Sequence, residues 1–121
     1  MNISNYRLGK WGEKKAKDYL TYSGYNIIEE NYRIKSGEID LIGCHNDFVI
    51  FFEVKTRSST SYGPPQAAVN IRKINRIRKI ASHFLAIYKK GFFINYKKRF
   101  DVIAITINHG KAKLKHFKNA F

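Results

Sequence analysis

Two alternating segments, residues 38–44 and Phe48–Arg57, flank the polar pair Asn46-Asp47 and constrain the fold more than any other part of this chain. Side chains on a strand point alternately to its two faces, so Val49, Phe51, Glu53, Lys55 and Arg57 share one face, and Glu38, Asp40 and Ile42 share another. A two-residue turn at Asn46-Asp47 would close an antiparallel hairpin. That register sets Asp40 opposite Glu53, Glu38 opposite Lys55 and Ile42 opposite Phe51.

The remaining elements follow from changes of period. Residues 4–23 read as a helix, with Ser4 as N-cap, Gly24 just past the end, and Leu8, Trp11, Ala16, Tyr19 and Leu20 on one face. Residues 25–32 read as a strand. Residues 58–65 are a polar loop with Gly63, Pro64 and Pro65. A long helix over 66–90 should end at Gly91, with Ala67, Ile71, Ile74, Ile77, Ala81, Phe84 and Tyr88 toward the core. Residues 99–107 are an apolar strand, and 111–117 return as a lysine-bearing edge strand. The order α-β-β-β-α-β-β, in 121 residues, predicts one α/β domain: a mixed sheet with helices packed on it.

The hairpin register has a chemical consequence. Directly opposed residues have Cβ atoms about 4.5–5.5 Å apart, and like charges there repel. The chain has only nine acidic residues, yet two of them, Asp40 and Glu53, would meet beside strongly apolar runs. A hard divalent cation, Mg²⁺ or Mn²⁺, would relieve that repulsion. Lys55 points the same way and could steady a water or a phosphate charge. Without a metal, replacing either carboxylate by its amide should leave the fold intact or slightly stabilised. The same residues admit a plainer reading, in which Glu38 and Lys55 form a cross-strand ion pair and Asp40 and Glu53 are solvated.

Charge supplies the partner class. Twenty-three Lys and Arg against nine Asp and Glu give a net charge of +14, suited to a polyanion such as nucleic acid. Arg57, Arg72, Lys73, Arg76 and Lys79 are the candidate phosphate contacts, and Tyr62 is a candidate for stacking on a base. The single Cys44 excludes an intrachain disulfide and a cysteine zinc site, and four histidines lie scattered without ligand spacing. Asp101, at the start of an apolar strand, reads as a structural group bonded to Arg99 or a nearby loop. Residues 1–11 lack the apolar core of a secretory leader, and no apolar run is long enough to span a bilayer. The expectation is a cytoplasmic protein with no membrane partner.

Gly37-Glu38-Ile39-Asp40 and Phe52-Glu53-Val54-Lys55-Thr56-Arg57 resemble the YraN-like family of small bacterial proteins. That family is grouped with the PD-(D/E)XK nucleases and related to Holliday-junction resolvases. The likeness extends to Gly9, Gly12-Glu13, Ala16 and Tyr19-Leu20. It includes Asn31-Tyr32-Arg33, Gly63, Pro64, Lys73 and Arg99-Phe100-Asp101-Val102. The resemblance implies a restriction-endonuclease-like fold and a metal-dependent endonuclease. Asp40, Glu53 and Lys55 would be catalytic. The metal would be held by Asp40, Glu53, the Val54 carbonyl and Glu13. Apart from the resemblance, Glu38 is a candidate for supporting Lys55 from across the hairpin. The resemblance favours DNA over RNA, with structured or branched DNA as substrate. It also allows a homodimer, since resolvases meet junctions of two-fold symmetry. The alternative is a non-catalytic nucleic-acid-binding or adaptor protein on the same scaffold.

Overall fold

Each helix begins with a side-chain cap. In the computed structural model, which describes residues 4–58 and 70–121, the Ser4 hydroxyl accepts the Arg7 N–H at 3.1 Å and opens α1 (Asn5–Tyr22). The helix stops at Ser23, and Gly24 follows with φ +95°, a left-handed value that glycine adopts without strain. The strands are β1 (Asn26–Ile34), β2 (Gly37–His45), β3 (Phe48–Arg57), β4 (Lys97–Asn108) and β5 (Lys111–Phe117). Between β3 and β4 stands α2 (Ile71–Ile87), continued by a 3-10 turn over Tyr88–Lys90. No helix among the described residues is long and apolar enough to cross a membrane.

The five strands lie side by side in chain order. β3 and β4 are parallel and the other neighbours antiparallel, so the sheet is mixed. A parallel pair needs a long crossover, and α2 lies within it. Alternation along β3 divides the core. Val49 and Phe51 pack with Ile77, Ile80, Ala81 and Phe84 of α2, while Ile50 and Phe52 pack with Ala16 and Leu20 of α1. The helices therefore cover opposite faces, and the architecture is the mixed α/β sheet with flanking helices expected from the element order. The Asn46-Asp47 turn closes His45 onto Phe48, as a two-residue hairpin requires, with Asn46 at φ +56°.

α2 departs from expectation at its start. Asn70 has extended backbone and its side chain accepts the Lys73 N–H at 2.9 Å, so the helix carrying Ile71 begins there rather than at residue 66. Ile71, expected in the core row, is 72% exposed because it sits in the first turn, off the edge of the apolar face. Tyr62, Gly63, Pro64, Pro65, Gln66 and Ala67 lie outside the described residues.

Candidate functional site

The site forms where β2 and β3 part. Their antiparallel ladder runs from His45–Phe48 to Leu41–Phe52 in the expected register and ends there, one step before Asp40 would face Glu53. β3 continues in ladder only with β4, through Glu53, Val54 and Lys55. The Val54 N–H donates instead to Asp40 Oδ2 at 2.7 Å, so a side chain takes over from a backbone acceptor. β2 also changes face at this point. Ile39 packs in the α2 cluster and Leu41, two residues on, in the α1 cluster. On β1, Glu30 pairs with Leu41 and Tyr32 with Ile39, which leaves Asn31 across from Asp40, in left-handed backbone at φ +50°. Asn tolerates that conformation better than most residues.

Two groups of charge meet at Asp40. On the α2 side, Glu53 is 6% exposed and its Oε1 lies 2.7 Å from Lys73 Nζ and 3.9 Å from Lys55 Nζ. On the α1 side, the Asn31 amide donates to Glu13 at 3.0 Å and to Glu38 at 3.3 Å. One carboxylate oxygen each from Glu13, Glu38 and Asp40 lie within 4.8 Å of one another. Lys10 adds a 3.4 Å contact to Glu13, and Arg33 binds Glu38 at 2.8 Å. A hollow of about 290 Å³ opens beside this group, bordered by Tyr6, Lys10, Glu13, Arg33 and Glu38. α1 reaches the site through Gly12, where an added Cβ would stand 1.8 Å from Thr56 Oγ1.

Burial and Glu53 push the Asp40 carboxyl up to about 7, against the pull of its bond from Val54. Burial and the neighbouring Lys73 ammonium lower Lys55. Burial also disfavours charge on Lys73, but Glu53 outweighs it and the net shift is upward. A carboxyl with raised proton affinity, Asp40, thus sits beside two crowded ammonium groups shifted in opposite directions. Such separation of titrations is characteristic of sites that move protons or bind ions.

The structure thus brings Glu13, Glu38, Asp40, Glu53, Val54 and Lys55 to one end of the β2–β3 seam. One expected contact is not made. Glu38 does not pair with Lys55; it binds Arg33 and Asn31 on the α1 side, because β2 has left β3 before reaching it. Lys73, expected among the phosphate contacts, lies in the site on Glu53. Arg72, Arg76 and Lys79 are exposed along α2, and Arg57 ends β3 opposite Thr106. Asp101 is fully buried and bonds Arg99, the Asn119 N–H at 2.9 Å and His116 at 2.7 Å, the structural part foreseen for it. Asn31 and the Glu53 contact of Lys73 had no decisive signal in the sequence. An Asn within a strand marks a candidate left-handed position, but nothing local places the third residue of a helix over a distant strand.

Comparison with known proteins covers nearly the whole chain. Residues 12–105 match the family described as Uncharacterised protein family UPF0102. A UPF0102 protein of Clostridium botulinum (strain 657 / Type Ba4) is 44% identical over 123 residues, covering 100% of this chain and 98% of the relative. One from Alkaliphilus metalliredigens (strain QYMF) is 47% identical over 114 residues, covering 94% and 96%. One from Thermodesulfovibrio yellowstonii is 41% identical over 119 residues, covering 98% and 99%. With near-complete coverage of both partners and a family match that takes in Glu13, Asp40, Glu53, Lys55 and Lys73, this chain belongs to the UPF0102 family.

Proposed function

We propose that the protein is a metal-dependent endonuclease that hydrolyses phosphodiester bonds in DNA, with structured or branched DNA as its substrate. The observation that carries this reading is the convergence on Asp40 of carboxylates from three elements, Glu13 of α1, Glu38 of β2 and Glu53 of β3, with Lys55 and Lys73 beside them. An all-oxygen donor set of this kind fits Mg²⁺ or Mn²⁺. Glu13 and Asp40 stand together with Glu38, and Asp40, Glu53, the Val54 carbonyl and Glu13 are the groups that would hold the ion once Glu53 gives up its contact with Lys73. When bound, it supplies charge for the phosphate and a more acidic water.

The chain's own groups account for the rest. Asp40, held by the Val54 N–H, is aimed before any ligand arrives. Lys55, with its affinity for a proton lowered, can hold a water by hydrogen bond or give a proton to a leaving oxygen. Lys73 can exchange its contact with Glu53 for a phosphate oxygen, placing a cation where charge develops. Arg72, Arg76, Lys79 and Arg57 supply the positive surface that draws the backbone in.

A second reading has its own support. The Lys73–Glu53 ion pair, at 2.7 Å, satisfies Glu53 without a metal, as suits a nucleic-acid-binding or adaptor protein that keeps the scaffold. One experiment separates the two. The purified chain, with Mg²⁺, Mn²⁺ or chelator, is incubated with branched, flapped, single-stranded and duplex DNAs and the matching RNAs. Cleavage of at least one DNA that needs metal and is lost in both Asp40→Asn and Glu53→Gln supports the nuclease. Binding without cleavage under every condition supports the second reading.

A further inference from the structure

The end of α2 is held in backbone that side chains with a Cβ disfavour. Gly91, at φ +79°, is an ordinary left-handed helix stop, but Lys89 and Lys90 before it also take positive φ, +45° and +58°. Strain of this kind persists where surrounding structure enforces it, and it gathers at binding sites. Both lysines are exposed, and directly after Gly91 comes Phe92, 59% exposed. Phe92 rests edge-on against the buried Phe93, ring centroids 4.8 Å apart, and lies 6.0 Å from Tyr96. A hollow of about 320 Å³ runs between Tyr88, Phe92 and Tyr96 on one side and Ile28 and Cys44 on the other. None of this contributes to the carboxylate site.

The charge around the ring decides what could cover it. The chain carries +14, and Lys89 and Lys90 border the patch, so a second copy would bring like charges together. A strand of nucleic acid brings the opposite charge and flat apolar rings. Exposed aromatics set among cations are the pattern that binds unpaired bases, stacking the base and neutralising its phosphates. The position agrees. α2 begins beside Glu53, through Lys73, and ends at this ring; its 17 residues span about 25 Å. Arg72, Arg76 and Lys79 are exposed between the two ends, and Lys79 and His83 border a further hollow of about 410 Å³.

We propose that the aromatic turn after α2 is a binding site for an unpaired stretch of nucleic-acid strand. A base stacks on Phe92, and its phosphates meet Lys89 and Lys90. The strand continues along α2 toward the carboxylate site. This rests on the reading of nucleic acid as the partner but not on cleavage, and its test is run in chelator.

Fluorescent single strands and duplexes of equal length are titrated with the full chain, with Phe92→Ala, Phe92→Trp and, as a control, Tyr22→Ala, which removes a ring 95% exposed at the far end of α1. Circular dichroism melts check each variant's fold. Phe92→Ala should weaken single-strand binding about tenfold, the loss of one stacked base, and leave duplex binding within about twofold. Phe92→Trp should restore it, and Tyr22→Ala should bind within about twofold of the parent. Unchanged single-strand affinity in Phe92→Ala overturns the proposal, as does equal weakening for single strand and duplex. So does a dimer, seen by sedimentation, that Phe92→Ala dissolves, since the ring would then be covered by a second copy. Absence of cleavage with the Phe92 effect intact sinks the nuclease reading and leaves this site standing.

Discussion

Lys73, in the first turn of α2, sets its ammonium 2.7 Å from a carboxylate oxygen of Glu53 on β3, and this pair reverses an expectation about stability. Repulsion between Asp40 and Glu53 alone would make an amide at either position neutral or stabilising. With Lys73 present, Glu53→Gln leaves two ammonium groups, Lys73 and Lys55, facing each other without their shared anion. Glu53→Gln is therefore expected to lower stability by about 1.5–3 kcal/mol, the range for hydrogen bonds to charged groups. Adding Lys73→Met to it should recover part of the loss. Urea unfolding of the parent, both single variants and the double variant at pH 7 measures the coupling. A Glu53→Gln protein as stable as the parent would show that the pair contributes nothing.

Asp40 gives the opposite sign and a pH signature. Its carboxyl is shifted up from the ordinary 3.8 to about 7, first by burial and then by Glu53. Between those values the folded protein holds a proton that the unfolded chain has released. The stability linked to this group is thus fully present below pH 4 and lost as pH rises through 7. Asp40→Asn, whose amide oxygen can still accept the Val54 N–H, should not differ from the parent near pH 4. At pH 8 it should melt higher by about 4 °C for each 1 kcal/mol of relief. Melting curves across pH 4–8 check this, and parallel curves for the two proteins would refute it.

The approach of α1 to the site depends on Gly12. An added Cβ would overlap Thr56 Oγ1 at 1.8 Å and crowd Thr56 Cβ at 2.9 Å. Gly12→Ala should cost about 1–3 kcal/mol, the usual range for overpacking, and displace Glu13 from the carboxylate group. Thr56→Ala in the same chain should recover only part of that, because Cβ remains. Metal-induced stabilisation, which follows occupancy of the folded state, should fall in Gly12→Ala more than in a control such as Lys14→Ala on the exposed face. Equal metal responses would place Glu13 outside the ion's shell.

The exposed cations of α2 carry a prediction about salt. Replacing Arg72, Arg76 and Lys79 together by Glu should weaken DNA binding for all sequences alike. It should also flatten the plot of log affinity against log salt by about 0.9 for each phosphate that is no longer neutralised. Fluorescence anisotropy at several salt concentrations gives the slope. An unchanged slope removes this face from the interface.

Much of this architecture could be read from local pattern. Period-two alternation in residues 38–44 and Phe48–Arg57, with a turn of two residues, set the hairpin register, and the Ile42–Phe51 pair is as expected. Ser4 and Gly24 marked the ends of α1 because caps answer to backbone groups a few residues away. The start of α2 was misplaced because helical periodicity continues through residues 66–70 with no breaker, and only the capping bond at Asn70 decides.

The chain by itself determined which residues alternate, where the turns fall, and that Asp40, Glu53 and Lys55 lie near one another, since neighbours in a hairpin follow from spacing alone. Only the tertiary structure decided how they are joined. The parting of β2 from β3 at Asp40 sent Glu38 to Arg33 rather than Lys55. The packing of α2 on the sheet brought Lys73 to Glu53, and the close approach of Gly12 to Thr56 brought Glu13 within reach of Asp40. The last two join residues far apart in the chain, through whole elements docking by their apolar faces. Such docking depends on the summed burial of those faces, which no short window of sequence contains.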